Sequence, residues 1–274
     1  MIWWALEVRG AGADRERVAW WLVRETGQAV EERPDGVVVG FFTDRAAAEA
    51  LASGVSAECR SALAQVVAVP DVDWSSEWKR GLGPRRVGRL TITPSWISAP
   101  ADPFTIVIDP ETAFGTGEHG STRAALALLD RLMPAGARVL DLGSGSGILA
   151  MAAVRLGARS ALGIEIDEDT LVIAEQNAAR NGLADRVRFV IGDAAVLAPL
   201  AGPADVVLSN ILRVVNLTLL EPIRAALAPG GLAIFAGMET PEAATFRTAL
   251  DRHGYTVIDD VVDADWWAVA GRPA

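Results

Sequence analysis

The sequence predicts an α/β protein in two parts: a large, mostly parallel sheet with helices on both faces, preceded by a small α+β domain. Three observations carry this expectation. From Arg138 onward, strand-like and helix-like segments alternate, the pattern of a parallel sheet whose crossovers are helices. Residues 1–70 run instead as strand, helix, two strands, helix, strand. Near the start of the second regime, Asp141-Leu142-Gly143-Ser144-Gly145-Ser146-Gly147 follows an apolar strand and opens a helix, the setting a nucleotide-binding glycine loop requires.

In chain order, Trp3 to Val8 alternates as a strand does, and Asp14 to Thr26 carries Val18, Trp21, Leu22 and Val23 at helical spacing, closed by Gly27. Ala29–Arg33 and Gly36–Phe42 flank the turn Pro34-Asp35-Gly36 as a hairpin. Thr43 is placed to cap a helix through Ala46–Ala52 that Gly54 ends, and Ala64–Val69 supplies a last strand before Pro70. This order, βαββαβ, is the split βαβ of ferredoxin-like domains. Residues 71–100 read as a connector with Trp74, Trp78, Trp96 and a basic cluster of Lys79, Arg80, Arg85 and Arg86. Those aromatics and arginines suit a protein-binding surface and equally suit a fastening between domains. Short strands at Arg89–Thr93 and Phe104–Asp109 lead into the second domain, residues 101–274.

In that domain the expected strands are Arg138–Leu142, Ala161–Ile166, Val187–Ile191, Asp205–Ser209 and Leu232–Ala236. Helices are expected at Ile148–Leu156, Glu168–Asn181, Val215–Leu227 and Pro241–His253. Thr256–Val262 and Trp266–Ala270 close the chain as two strands with no helix between them, an antiparallel edge on a sheet of seven. Trp20, Trp21, Trp266 and Trp267 are expected in cores or between domains.

Composition narrows the function. The 274 residues are 51% hydrophobic and 22% charged, a globular balance. No apolar run reaches the roughly 18 residues that cross a bilayer, and the N-terminus does not read as a signal peptide. With one cysteine, Cys59, no internal disulfide is possible, and with two histidines no His/Cys metal cage is expected. A cytoplasmic monomer is the expectation. The net charge of −10 suits a basic partner better than a phosphate backbone, and also serves plain solubility.

The glycine spacing chooses between cofactors. A dinucleotide fingerprint, G-x-G-x-x-G, needs glycine where this chain has Ile148. The pattern present is acidic-x-G-x-G-x-G. Glu165 ends the second strand, where a carboxylate can accept hydrogen bonds from both ribose hydroxyls. Asp167 or Asp169 is available to cap the next helix. Asp193, in Gly192-Asp193-Ala194, is placed either to reach an adenine amino group or to serve as ordinary turn chemistry.

Two further segments are specific: Asp109-Pro110-Glu111-Thr112-Ala113-Phe114-Gly115-Thr116-Gly117-Glu118-His119-Gly120-Ser121-Thr122-Arg123 and Ser209-Asn210-Ile211-Leu212. With the glycine loop, they resemble the bacterial ribosomal protein L11 methyltransferases (PrmA type), and the resemblance runs through the whole chain. It implies a Rossmann-like seven-stranded methyltransferase domain that uses S-adenosylmethionine. It also implies a ferredoxin-like N-terminal domain that grips the substrate, and transfer of methyl groups to lysine side chains and the N-terminal amine of ribosomal protein L11. The implied cofactor contacts are Thr122, Gly143, Gly145, Glu165 and Asn210. The chain departs from the family's Thr-His-Pro-Thr-Thr at Glu118-His119-Gly120-Ser121-Thr122, where the lost proline loosens the loop, and has Glu165 where the family usually has Asp.

Asn210-Ile211-Leu212 lacks the proline pair and aromatic with which enzymes acting on planar nitrogens hold their acceptor, so a tetrahedral amine is expected. Methylation of another protein's lysine or of a small amine stays open as an alternative. His119 titrates in the right range for a base and equally serves as a loop histidine bonded locally; no catalytic base is assigned. His253 is expected to complement a helix dipole.

Overall fold

The computed structural model describes residues 3–9, 13–26, 30–33, 36–59, 62–69, 83–98, 102–109, 115 and 117–274. Gly27, Pro34, Asp35, Pro70, Trp74, Trp78, Lys79, Arg80, Phe114 and Thr116, singled out above, lie outside the described residues. The chain divides into two compact units, Met1–Gly81 and Leu82–Ala274.

The first unit comprises β1 (Trp3–Arg9), α1 (Ala13–Thr26), β2 (Glu31–Glu32), β3 (Val37–Phe42), α2 (Arg45–Glu58) and β4 (Leu63–Val69). Its sheet has the order β2-β3-β1-β4, and all its pairings are antiparallel. Leu6, Val8, Val38 and Val66 on one sheet face meet Val18, Trp21 and Leu22 of α1. Two expectations fail here. Asp44, not Thr43, caps α2, accepting from the Ala46 N–H at 3.1 Å. Gly54 does not end the helix; it lies inside it, where a Cβ would stand 2.9 Å from the Trp21 ring. The missing side chain is what lets α1 and α2 approach. Trp20, expected in a core or between domains, is 61% exposed and outside the core of its unit. It points away from the Val18–Trp21–Leu22 face, and the Arg24 guanidinium lies 5.0 Å from its ring centroid.

The second unit opens with β5 (Arg85–Val87), β6 (Leu90–Thr93) and β7 (Thr105–Val107), which form a separate three-stranded sheet. β5 and β6 fall within the segment that the sequence reads as connector. Then follow α3 (Gly120–Leu132), β8 (Arg138–Leu142), α4 (Ile148–Arg155), β9 (Ser160–Glu165), α5 (Glu168–Arg180), β10 (Val187–Ile191) and α6 (Ala194–Ala201). β11 (Ala204–Asn210), α7 (Arg213–Ala226), β12 (Leu227–Glu239), α8 (Ala243–Arg252), β13 (Tyr255–Asp263) and β14 (Trp266–Pro273) complete the unit. The large sheet has the order β10-β9-β8-β11-β12-β14-β13. β8 to β12 are parallel, and β14 runs antiparallel to both its neighbours.

Strand periodicity builds two cores. Along β11, Val206 and Leu208 pack on the α3–α4–α5 side, while Val207 packs on the side of α7 and α8. Leu232 and Ile234 of β12 share the first core, and Ala233 and Phe235 the second. Burial on both faces explains why these strands read as near-continuous apolar runs. Phe235 alone, fully buried between Phe246 and Tyr255, contributes about 2–3 kcal/mol by removal from water. Two helices escaped the sequence reading. The α3 residues begin inside the motif Asp109–Arg123, and the sequence reading assigns no element to 124–132. α6 is short and holds Pro199 inside it, a residue that removes one intrahelical hydrogen bond and weakens the helical pattern.

Candidate active site

In open α/β sheets, ligands bind beyond the carboxyl ends of the strands, where strand order reverses. Here that point lies between β8 and β11, whose outward neighbours are β9 and β12. The glycine loop leaves β8 there. Gly143, Gly145 and Gly147 adopt φ values of +67°, +49° and +79°, a region costly to residues with a Cβ. A Cβ on Gly143 would also stand 3.1 Å from Ile211, so the loop lies directly under the residue that follows Asn210. Beneath it, the Phe189 ring of β10 fills the space that side chains at Gly147 and Gly163 would need.

Glu165 stands at the tip of β9. Its carboxylate accepts from the Gly145 N–H at 2.8 Å with one oxygen and from the Ile166 N–H at 2.8 Å with the other. The strand-two acid is thus tied to the glycine loop. Asp167 caps α5 through the Asp169 N–H at 3.0 Å, and Asp193 caps α6 through the Ala195 N–H at 2.8 Å. Asp193 therefore performs local cap chemistry.

Thr122 is fully buried in the first turn of α3. Asn210 ends β11, and its Nδ2 donates to Thr122 Oγ1 at 3.3 Å. The structure therefore brings Thr122 to Asn210, and Glu165 to Gly145, at the carboxyl ends of the parallel strands. Asp141, the acid that opens the motif, is 1% exposed. It accepts from the Ala150 N–H at 3.0 Å. Burial, with the Glu165 charge adding to it, pushes its pKa up to about 7.

Asp141 Oδ1, Ser144 Oγ and Asn210 Oδ1 are buried and lack a hydrogen-bond partner. Buried polar atoms are rarely left so. The three belong to the end of β8, the glycine loop and the end of β11, the segments that a polar cofactor at this loop would meet. The residues present fit S-adenosylmethionine.

Arginines and aromatics brace the loop before α3. Arg123 donates to Glu118 O and pairs with Asp263, its Nε 2.9 Å from Oδ2. Arg85 Nη2 lies 2.9 Å from Glu118. His119 Nδ1 is 2.8 Å from Ser121 Oγ, and the His119 ring lies 4.2 Å from that of Trp266. Burial, and then the Arg123 charge, lower the His119 pKa. A Cβ on Gly120 would stand 2.7 Å from Trp266 and 2.9 Å from Asp263 O. The glycine that replaces the family's proline admits this close packing. His253, at the C-terminus of α8, bonds Glu221 at 2.9 Å.

Sequence reasoning missed a set of buried amides. Asn181 bonds both the N–H and the C=O of Val107, at 2.8 and 2.7 Å. Asn177 donates to Ser146 O at 3.1 Å and accepts from the Asp109 N–H at 3.2 Å. Together they clamp β7 and the glycine loop to α5. Their i, i+4 spacing on the inward face of a helix was the available signal.

This sheet order, with a glycine loop on its first strand and a carboxylate on its second, defines an S-adenosylmethionine-dependent methyltransferase. The family model described as ribosomal protein L11 methyltransferase (PrmA) matches residues 3–273, and the chain belongs to that family. A ribosomal protein L11 methyltransferase of Deinococcus radiodurans is 41% identical over 213 residues, covering 73% of this chain and 77% of its own length. One from Thermus thermophilus is 38% identical over 202 residues, covering 74% and 78%. The crystal structure of ribosomal protein L11 methylase from Lactobacillus delbrueckii subsp. bulgaricus superposes with a TM-score of 0.64 at 30% identity. It covers 70% of this chain and 98% of the other. Among the described residues, no helix is long and apolar enough to cross a membrane.

Proposed function

We propose that this enzyme transfers methyl groups from S-adenosylmethionine to amino groups of ribosomal protein L11, lysine side chains and the N-terminal amine. The observation that carries the reading is the junction of Thr122 with Asn210 beside the glycine loop, in a chain that matches the family from end to end. Gly143 and Gly145 admit the cofactor to the backbone, Glu165 takes the ribose, and Thr122 and Asn210 close the site from the opposite side. Bound there, S-adenosylmethionine would supply a methyl group already activated by its sulfonium for transfer to a nitrogen lone pair. The protein's task is then alignment, and release of the amine proton, since a free lysine holds it to a pKa of about 10.4. Asn210-Ile211-Leu212 offers no aromatic or proline pair to clasp a planar acceptor, which favours an amine.

In this reading residues 1–70 form a ferredoxin-like domain that recognises the substrate, residues 71–100 connect, and residues 101–274 carry the reaction. The enzyme works as a cytoplasmic monomer on a protein rather than a nucleic acid. The net charge of −10 supports a basic partner.

The test is transfer of radiolabelled methyl groups into ribosomal proteins from cells that lack the enzyme. One labelled band at the size of L11, lost on deleting residues 1–70 with cofactor affinity retained, is expected. Cofactor binding with no labelled ribosomal protein would move the substrate to another protein or a small amine.

A further inference from the structure

The turn that carries Asn210 is held by a side chain that nothing above assigns to the reaction. Asn216, in the first turns of α7, is fully buried. Its Nδ2 donates to Ile211 O at 2.8 Å and to Ala236 O at 2.9 Å, and its Oδ1 accepts from Ser209 Oγ at 2.6 Å. Two carbonyl acceptors on one side fix which end of the amide is nitrogen. The three partners surround one residue: Ser209 precedes Asn210, Ile211 follows it, and Ala236 is its register partner on β12. Gly237 completes the clamp. It adopts φ +82°, and a Cβ there would stand 2.4 Å from Ile211 O, so the Ile211 peptide rests directly on β12. The Asn210 side chain makes the 3.3 Å bond to Thr122, and its Oδ1 is buried without a partner. Its placement depends on the braced backbone at either side.

We propose that Asn216 is a positioning residue for methyl transfer, locking the Ser209–Ile211 turn so that Asn210 presents its uncommitted carbonyl oxygen to the reacting groups. The inference rests on the reading that Asn210 belongs to the site. A buried amide with every bond made fixes one geometry, and a displacement of about 1 Å at such a site costs on the order of 100-fold in rate.

The test is steady-state methylation of L11 by the full chain carrying Ser209→Ala, Asn216→Ser, Asn210→Ala and the two double variants with Asn210→Ala, with melting temperatures taken alongside. Ser209→Ala removes one hydroxyl and keeps the fold; kcat should fall about 3–10-fold with KM for L11 nearly unchanged. Asn216→Ser should lower kcat about 10–100-fold. In the Asn210→Ala background neither change should reduce kcat further, because the residue being positioned is gone. Full kcat in folded Ser209→Ala, or losses that multiply in the Asn210→Ala background, would overturn the proposal. Should Asn216→Ser not fold, Ser209→Ala decides alone. Asn210→Ala with unchanged kcat and cofactor affinity would instead remove the reading on which it rests.

Discussion

Thr122 and Asn210 stand 88 residues apart in the chain, and a 3.3 Å hydrogen bond from the Asn210 amide to the Thr122 hydroxyl joins the start of α3 to the end of β11. The bond lies at the carboxyl ends of the parallel strands, where Glu165 also stands. Replacing Thr122 by valine keeps the volume and removes the acceptor, so a half-buried N–H loses its partner. The expected cost is about 1 kcal/mol, or roughly a 5-fold weaker cofactor affinity by calorimetry. An unchanged affinity in a folded variant would detach Thr122 from the site.

Gly143 tests the loop itself. Its φ of +67° already penalises any side chain by about 1–2 kcal/mol, and a Cβ would press on Ile211. Gly143→Ala should bind cofactor more weakly. Gly143→Arg should abolish binding while the circular dichroism spectrum stays native, since it fills the space above the loop. Retained affinity in the arginine variant would place the cofactor elsewhere.

Asp141 sets a pH dependence of stability. In the fold its carboxyl holds a proton up to about pH 7, whereas its ordinary value is 3.8. The native state therefore binds the proton more tightly than the unfolded chain does. Stability from this group is complete in acid and falls as pH rises between those values, by up to about 4 kcal/mol. Asp141→Asn should flatten that slope and make the ligand-free protein more stable than the parent at pH 8. Urea unfolding of both proteins at pH 5 and pH 8 reads this directly, and parallel pH slopes would refute it.

His119 owes its lowered pKa first to burial, and the Trp266 ring at 4.2 Å is part of what buries it. Trp266→Ala should raise the His119 pKa toward its ordinary value, followed by NMR titration of the ring proton. No upward movement would mean that Arg123, not desolvation, controls this histidine.

Much of the large sheet was legible because its strands are buried on two faces and therefore apolar along their length. The proposed site residues Gly143, Glu165, Thr122 and Asn210 are marked in the sequence by glycines, a strand-end acid and a family motif. The clamps were not. Asn177, Asn181 and Asn216 look like ordinary helix residues until β7, the glycine loop and β12 arrive to accept their hydrogen bonds. Gly54 misled for the opposite reason: a glycine reads as a helix stop, yet its role is set by the Trp21 ring that packs against it. Such residues answer to partners distant in sequence, and local pattern does not encode them.

The position of β14 has a consequence for how the protein is made. It is the last strand in the chain but not the edge of the sheet, since it lies between β12 and β13. A ribosome delivers the glycine loop, Thr122 and Asn210 well before it reaches residue 266. Until then β12 has a bare flank, and Phe246 lacks the Trp267 ring that packs on it. When β14 threads into place, its first residue, Trp266, also comes to rest against His119 and Gly120. The same late event that seals the sheet thus finishes one wall of the loop beside Thr122. A nascent chain stalled before residue 266 would hold the parts of the cofactor site without that wall.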